Sequence, residues 1–143
     1  MHITEMVIDD YEDVLHLMQK IPGITVRDAD SREATERYLL RNPGLSFVAT
    51  DNKKIIGCVM CGHDGRRGYL QHLIVANNYR NKGIGSTLIK KCLSKLEELG
   101  IFKTHIDILV DNNSANQYWS NRGWVKRTDI CRYSFNKSDN ENI

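Results

Sequence analysis

The amino-acid sequence predicts a mixed α/β (α+β) fold. Three observations predict it: stretches with apolar residues at alternate positions, stretches with apolar residues three and four apart, and the order in which the two kinds of stretch occur. The predicted order is strand, two helices, three strands, helix, strand, helix, and then one or two strands. A length of 143 residues favours a single domain.

The first elements are a strand and two helices. "HITEMV" alternates like a strand, and "DDYEDVLHLMQK" then has apolar residues at helical spacing behind Asp9 or Asp10 as N-cap. The segment "IPGIT", residues 21–25, breaks this helix. "DSREATERYLLRN" predicts the second helix, with Asp30 or Ser31 at its N-cap and a Pro-Gly stop after it.

The remaining elements follow in the same way. "LSFVATD", "KIIGCVMCG" and "YLQHLIV" read as three strands separated by the turns "DNKK" and "HDGRRG". A long helix lies within residues 79–99, and "THIDILV" is the next strand. A short helix is bounded by Asn112 or Asn113 and by Gly123. "WVKRTDICRYSFN" predicts a final strand or hairpin, and residues 137–143 are expected to fray.

Composition excludes several function classes. The formal net charge is +2, which is too small to indicate a nucleic-acid or membrane-surface partner. No apolar run approaches the roughly 18 residues of a membrane span. The acidic start "MHITEMVIDDYEDV" lacks the basic flank and apolar core of a signal peptide. We therefore expect a cytoplasmic protein.

The four cysteines are expected to be buried, reduced thiols. Cys58 and Cys61 have the spacing of metal ligands, and His63 follows closely. However, no second Cys/His pair has zinc-site spacing, and strand alternation would point the two thiols to opposite faces. Cys92 and Cys131 lie in other apolar segments. The sequence therefore predicts no metal site.

The long helix begins with two glycines, which cost roughly 1 kcal/mol each relative to alanine. A strand that runs into a glycine-rich turn and a helix leaves several backbone N–H groups unpaired and aimed one way. Gly83 and Gly85 let a bulky anion approach these amides. Arg80 and Lys82 add positive charge, and Ser86 adds a hydroxyl. This pattern predicts a phosphate site.

The loop "RNKGIG" fits R-x-x-G-x-G and neither a Walker loop nor a dinucleotide fingerprint. It resembles the acyl-CoA pyrophosphate loop of the GNAT superfamily of N-acetyltransferases. The context strengthens the resemblance, because "HLIVANNYRNKGIGSTLI" is similar to the family's strand, loop and helix. "VDNNSANQYWSNRGW" is similar to its second signature, and "DGRRG" resembles a turn found in small bacterial members. The resemblance covers essentially the whole chain.

The resemblance implies a GNAT fold over residues 1–136, with a mostly antiparallel sheet of six to seven strands and four flanking helices. Its fourth and fifth strands splay apart to admit acetyl-CoA, which serves as cosubstrate without a metal. The implied reaction is direct transfer of an acetyl group to a primary amine on a small molecule or peptide. Two alternatives stay open: an acyl-CoA-binding sensor that no longer transfers, and an unrelated anion-binding module. A homodimer is also possible.

The resemblance also implies which residues bind the cofactor. Backbone groups at the end of the fourth strand would bind the pantetheine arm, and loop amides would bind the pyrophosphate. Asn112 and Asn116 would meet the far side of the arm, although Asn112 also suits a plain helix cap. The implied cofactor-binding residues are Leu73, Ile74, Val75, Arg80, Asn81, Lys82, Gly83, Ile84, Gly85, Ser86, Asn112, Asn116 and Trp119.

The catalytic groups are expected on the fourth strand. The positions at which family members carry a base align with Tyr69 and Gln71, neither of which is a good base at neutral pH. His72 is the nearest titratable group, but regular alternation points it away from these two residues unless a bulge reverses it. A water chain is an equally good route for the proton. The backbone N–H near Leu73 is the expected oxyanion donor.

The expected proton donor to the leaving thiolate departs from the family pattern. Trp119 stands where the family commonly has a tyrosine, and an indole N–H is no practical acid. The neighbouring Tyr118 should face elsewhere on the helix.

The wall of the acceptor site is expected to be acidic. Four carboxylates lie in the segment that would form it: Asp28, Asp30, Glu33 and Glu36. They would suit a cationic amine, although a solvated helix face explains them at least as well.

Overall fold

The structure is a computed structural model that describes residues 1–22 and 24–143. The chain forms two compact units, Met1–Ile106 and Asp107–Ile143. The predicted break at residues 21–25 includes Gly23, which lies outside the described residues. Among the described residues, no helix is both long enough and apolar enough to cross a membrane.

The first unit contains one five-stranded sheet and three α-helices. Its strands are β1 (His2–Glu5), β2 (Phe47–Asp51), β3 (Lys54–His63), β4 (Gly68–Val75) and β5 (Thr104–Ile106). Its α-helices are α1 (Tyr11–Gln19), α2 (Arg32–Arg41) and α3 (Ile84–Glu98). The strands are ordered β1-β2-β3-β4-β5, and every pair is antiparallel except the parallel pair β4–β5. The mixed, mostly antiparallel sheet is therefore as predicted.

Helices cover both faces of this sheet. Val14 and Met18 of α1 pack with Cys58, Met60 and Ile74 in one buried cluster, which Tyr38 and Leu39 of α2 also contact. Helix α3 contacts β2, β3 and β4 through its buried Leu88, Cys92 and Leu96. The stripe of apolar residues in α3 is therefore core, as its spacing predicts.

The thiols of the first unit follow the predicted alternation. Cys58 packs in the cluster beside α1, whereas Cys61 contacts Cys92 of α3. The two residues therefore point to opposite faces. Both are free and fully buried, and burial raises the pKa of the Cys58 thiol to about 12. The prediction is wrong for Cys131, which is exposed.

Local signals determine where the helices begin. The Ser31 hydroxyl accepts a hydrogen bond from the Ala34 amide at 3.2 Å and caps α2, which decides between Asp30 and Ser31. Helix α3 begins at Ile84, because Gly83 at its N-cap has a left-handed backbone with φ of +80°.

The second unit contains helix α4 (Asn113–Asn121). The Asn112 side chain accepts a hydrogen bond from the Ala115 amide at 3.1 Å, which makes it the N-cap. Gly123, with φ of +84°, follows the end of the helix. Both predicted boundaries of this helix are confirmed.

The prediction of six to seven strands is wrong, since the described residues form five. Strand β5 ends at Ile106 instead of reaching residue 110, and residues 124–136 contain no strand. Their apolar side chains are exposed, with Val125 at 82% and Tyr133 at 92%. Alternation decides which side chains share a face, but a strand also needs a neighbour to accept its backbone hydrogen bonds.

Candidate active site

Strand β5 pairs with only the first three residues of β4. Gly68, Tyr69 and Leu70 lie opposite Thr104, His105 and Ile106, and β5 ends there. The rest of β4, residues 71–75, therefore has no partner in β5. Its backbone groups on that edge therefore make no ladder hydrogen bonds to β5, and a strand edge of this kind can receive an extended ligand. The splay of the fourth and fifth strands stays a prediction.

A β-bulge interrupts β4 at His72 and Leu73. Cys58 lies opposite Ile74 and Met60 lies opposite Gln71, so two residues of β4 face the single residue Val59 of β3. His72 adopts a left-handed backbone with φ of +53°, which is uncommon for a residue other than glycine. A bulge leaves an extra residue outside the ladder and changes the direction of the side chains around it.

The bulge turns His72 toward helices α1 and α2. Its Nε2 lies 2.8 Å from Oδ1 of Asp30, which belongs to a short 3-10 helix between them, Asp28–Asp30. Regular alternation would have placed His72 on the opposite face from Gln71. Instead Gln71 lies opposite Met60, whose side chain packs against α1. The structure therefore brings Gln71 and His72 to the same face.

The Asp30 carboxylate is held by its own helix. Oδ2 accepts a hydrogen bond from the Arg27 amide at 2.9 Å, and the Asp30 amide donates to the Arg27 carbonyl at 2.9 Å. The Tyr11 hydroxyl donates to the Asp30 carbonyl oxygen at 2.6 Å. Burial, then the nearby Asp30, raises the pKa of Tyr11, so its hydroxyl stays protonated as a donor.

Two tyrosines lie on the same face as Gln71. Tyr69 lies opposite Gly62 in the β3–β4 register. The Tyr38 hydroxyl is also close to Gly62, since it would lie only 2.9 Å from a Cβ atom placed on that glycine. Burial is the main cause that raises the pKa of Tyr38 to about 12, and its buried hydroxyl has no hydrogen-bond partner among the residues that the structure describes. Tyr38 is therefore neutral at physiological pH.

His105 is a residue that the sequence analysis did not assign to the site. It lies beside Tyr69 in the parallel β4–β5 register, and the ring centroids are 5.6 Å apart. The histidine is half-buried on β5, which is an edge strand of the sheet. No sequence spacing links residues 69 and 105, so only the strand register could identify the pair.

The predicted phosphate loop connects β4 to α3. The first amides of α3 have no intrahelical acceptor, as in any α-helix, and the N-cap residue Gly83 provides no side-chain acceptor for them. A Cβ atom on Gly83 would meet no atom within 4 Å, which shows open space above the loop. Arg80 and Lys82 are exposed, and the Arg80 Nε donates to the Val75 carbonyl at 3.1 Å. This geometry fits a phosphate group.

The candidate cofactor residues of the second unit have local partners. Asn112 caps α4, and the Asn116 amide donates to the Leu109 carbonyl at 3.0 Å and the Asn112 carbonyl at 2.8 Å. Trp119 is buried, and its ring meets Trp124 edge-on at 4.7 Å between centroids. Each of the three residues therefore has a structural role: Asn112 caps the helix, Asn116 binds two backbone carbonyls, and Trp119 is part of an aromatic stack.

Of the four carboxylates predicted for the acceptor wall, Asp30 is the one that contacts a predicted catalytic residue among the contacts described. Asp30 contacts His72, whereas Asp28, Glu33 and Glu36 are exposed.

Within the described residues, no three His, Cys, Asp or Glu side chains are grouped closely enough to hold a metal ion.

Comparisons with known proteins agree with this geometry. A model of the "Acetyltransferase (GNAT) family" matches residues 11–124. An acetyltransferase of Pectobacterium atrosepticum is 35% identical over 107 residues, which are 75% of each chain. N-alpha-acetyltransferase 30 of Xenopus laevis is 31% identical over an alignment of 152 residues including gaps, which covers 96% of this chain and 55% of that protein. The chain thus spans about half the length of the Xenopus relative.

Solved structures show the same fold. A GNAT-family acetyltransferase from Staphylococcus aureus is 26% identical and aligns with a TM-score of 0.78, covering 97% of this chain and 94% of that chain. The PaiA N-acetyltransferase from Thermoplasma acidophilum, in complex with coenzyme A, is 18% identical with a TM-score of 0.74, over 85% of this chain and 87% of that chain. The family model and the relatives lead to one conclusion: this chain belongs to the GNAT family of acetyltransferases.

Proposed function

We propose that this protein is an N-acetyltransferase that transfers the acetyl group of acetyl-CoA directly to a primary amine at the N-terminus of a peptide or protein. The observation that carries the proposal is the free edge of β4, which begins beside a bulge and leads into the uncapped start of α3. An extended cofactor needs such an edge for its arm and such a helix start for its phosphates.

The cofactor would lie along β4 and its loop. Leu73, Ile74 and Val75 offer backbone groups to the pantetheine arm, and the amides of residues 80–86 bind the pyrophosphate. The Arg80 guanidinium is already held at the end of β4, because its Nε donates to the Val75 carbonyl. Asn112, Asn116 and Trp119 remain candidates for the far side of the arm.

Acetyl transfer requires removal of a proton from the ammonium and stabilisation of the negative charge that develops on the thioester oxygen. His72 is the proposed base, because the bulge brings its imidazole to the face that carries Tyr69 and Gln71. The Leu73 amide is the proposed oxyanion donor, since it lies in the bulge. A water held by Tyr69 or Gln71 is the alternative route for the proton.

Departure of coenzyme A does not require an acid in this proposal. Trp119 cannot deliver a proton, but a thiol with an ordinary pKa of about 8.5 leaves readily as thiolate near neutral pH. The buried edge-on stack with Trp124 gives Trp119 a structural role instead.

Two features support a peptide amine as acceptor. The name of the Xenopus relative specifies an α-amine, and its aligned region covers 96% of this chain. The largely buried Asp30 carboxylate, which lies next to His72, adds a negative charge that favours the approach of a cationic amine to that side of β4 without contacting it. Small-molecule amines are the competing acceptors.

Four expectations from the sequence stay predictions. They are the single domain over residues 1–136, the frayed tail, a homodimer and a cytoplasmic location.

Cofactor binding is tested by thermal unfolding with and without acetyl-CoA. A ligand at 100 times its Kd stabilises the native state by about 2.7 kcal/mol, which raises Tm by several degrees. We expect this shift in the native protein and its loss in Gly83→Asp. The matched control is Gly65→Asp, because Gly65 also has a positive φ, +92°, and open space around its Cβ position. Equal shifts in both variants would exclude the loop as the cofactor site.

Activity is tested by release of free CoA thiol with three acceptors: a peptide with a free N-terminus, a polyamine and an aminoglycoside. The same peptide with an acetylated N-terminus is the control. We expect release with the free peptide only. Cofactor binding without release for any amine would favour the sensor, the alternative that Trp119 supports. Displacement of acetyl-CoA by ATP would favour an anion-binding module instead.

A further inference from the structure

The pair formed by Asp30 and His72 joins residues that are 42 positions apart in the sequence. Only 14% of the Asp30 side chain and 19% of the His72 side chain are exposed, so water competes little for this hydrogen bond. An ionised carboxylate can only accept a hydrogen bond. The imidazole must therefore carry a hydrogen on Nε2, which leaves Nδ1 as the nitrogen that can take up a proton when the imidazole is neutral.

The carboxylate cannot easily rotate away from His72. Its other oxygen accepts the Arg27 amide at 2.9 Å, and the Tyr11 hydroxyl holds the Asp30 carbonyl at 2.6 Å. The two carboxylate oxygens thus have two different donors in fixed directions. A surface ion pair between flexible side chains would have no such second anchor.

We propose that Asp30 is a positioning residue, which fixes the Nε2–H tautomer of His72 and so presents Nδ1 as the base for the acceptor amine. The inference rests on the proposed function, in which His72 takes the proton. Asp30 also stabilises the imidazolium that forms when the proton arrives. The proton moves from the ammonium nitrogen to Nδ1, while Asp30 remains ionised and touches neither substrate.

The substitution Asp30→Asn tests this role directly, because it is expected to change the tautomer of His72. The asparagine amide group must replace one of the two carboxylate oxygens, and an N–H group cannot accept from the Arg27 amide. The remaining oxygen therefore turns to Arg27, and the amide nitrogen donates to Nε2 of His72. The tautomer of His72 then changes to Nδ1–H, and no free nitrogen faces the acceptor.

The experiment combines two measurements on the full chain. The nitrogen chemical shifts of the ¹⁵N-labelled His72 ring report the tautomer without any requirement for activity. Steady-state kinetics with the accepted amine report kcat/KM. For Asp30→Asn we expect the change to Nδ1–H together with a fall of about 100-fold in kcat/KM, the usual contribution of a general base.

Two further variants complete the design. Asp13→Asn removes one exposed carboxylate from α1 and is expected to leave the tautomer and the rate unchanged. Asp30→Glu retains a carboxylate and is expected to keep Nε2–H with more than a tenth of the native kcat/KM. It also decides the question if Asp30→Asn does not fold, since a change to Nδ1–H in Asp30→Glu would overturn the inference.

The outcomes separate the inference from the proposed function. If the native protein transfers acetyl to amines while Asp30→Asn retains either its tautomer or its rate, the inference is wrong and the proposed function stands. If the native protein transfers acetyl to no amine, the proposed function fails, and the inference fails with it whatever the tautomer.

Discussion

The ring of Tyr69 on β4 lies 5.6 Å from the imidazole of His105 on β5, measured between centroids and at an interplanar angle of 40°. The parallel register places the two residues directly opposite each other, in the middle of the three residue pairs that join these strands. Because β5 ends at Ile106, this contact lies next to the point at which β4 loses its strand partner on that edge.

The contact between the Tyr69 and His105 rings should increase the free energy of unfolding, and removal of the imidazole should abolish this contribution. Aromatic pairs contribute about 0.5–1.5 kcal/mol, and partial exposure of Tyr69 places this one at the lower end. We expect His105→Ala to lower the free energy of unfolding by about 0.5–1 kcal/mol in urea denaturation. Tyr69→Phe keeps the ring and serves as the control. A loss in Tyr69→Phe as large as that in His105→Ala would show that the hydroxyl carries the effect.

The left-handed backbone of His72 gives a second prediction. Both His72→Asn and His72→Val remove the imidazole, but asparagine tolerates a positive φ whereas a β-branched residue does not. We expect His72→Val to be less stable than His72→Asn by about 1–2 kcal/mol. Chemical denaturation of the two variants measures this difference.

The neighbouring Gln71 provides the matched comparison, because positive φ is recorded at His72 and not at Gln71. There valine is expected to be at least as stable as asparagine, since strands favour β-branched residues. The same order of stability at both positions would contradict a bulge at His72. Both His72 variants should also lose acetyl transfer by about 100-fold if His72 is the base.

The buried Tyr38 hydroxyl gives a prediction for alkaline pH. Its pKa is about 12 in the folded protein, raised mainly by burial from the ordinary value of 10.0. Between these pH values the unfolded chain releases the proton and the folded chain keeps it, so the free energy of unfolding falls as the pH rises. The full loss attributable to Tyr38 is roughly 3 kcal/mol.

Urea denaturation at intervals from about pH 9 to 11.5 measures this dependence. Tyr38→Phe should show a shallower fall than the native protein. Tyr133→Phe, at a site that is 92% exposed, is the control and should follow the native curve. An identical slope in Tyr38→Phe would mean that the alkaline loss comes from other groups, of which the buried Cys58 thiol is the first candidate.

Much of the fold followed from local sequence. The first four strands and all four helices lie where alternation and helical spacing predicted them, because each pattern is complete within a few consecutive residues. Capping at Ser31 and Asn112 is also local, since each side chain bonds an amide three residues later. The glycine-rich loop was identified for the same reason.

The predictions failed where pairing between distant segments decides the structure. Residues 124–136 alternate like a strand but have no strand partner among the described residues, and β5 has three residues where the sequence suggested seven. Cys131 lies in that segment and is exposed, contrary to expectation. Backbone pairing is a property of two segments, so the pattern of one segment cannot establish it.

The sequence by itself determined the order of the elements, the phosphate loop with Gly83 and the family to which the chain belongs. Only the tertiary structure decided the direction of His72, its bond to Asp30 and the contact of His105 with Tyr69. The physical reason is range. Caps, turns and periodic patterns act over one to four residues, whereas a bulge depends on the register of β4 against β3, and the Asp30–His72 pair depends on how the segment between α1 and α2 packs on that strand.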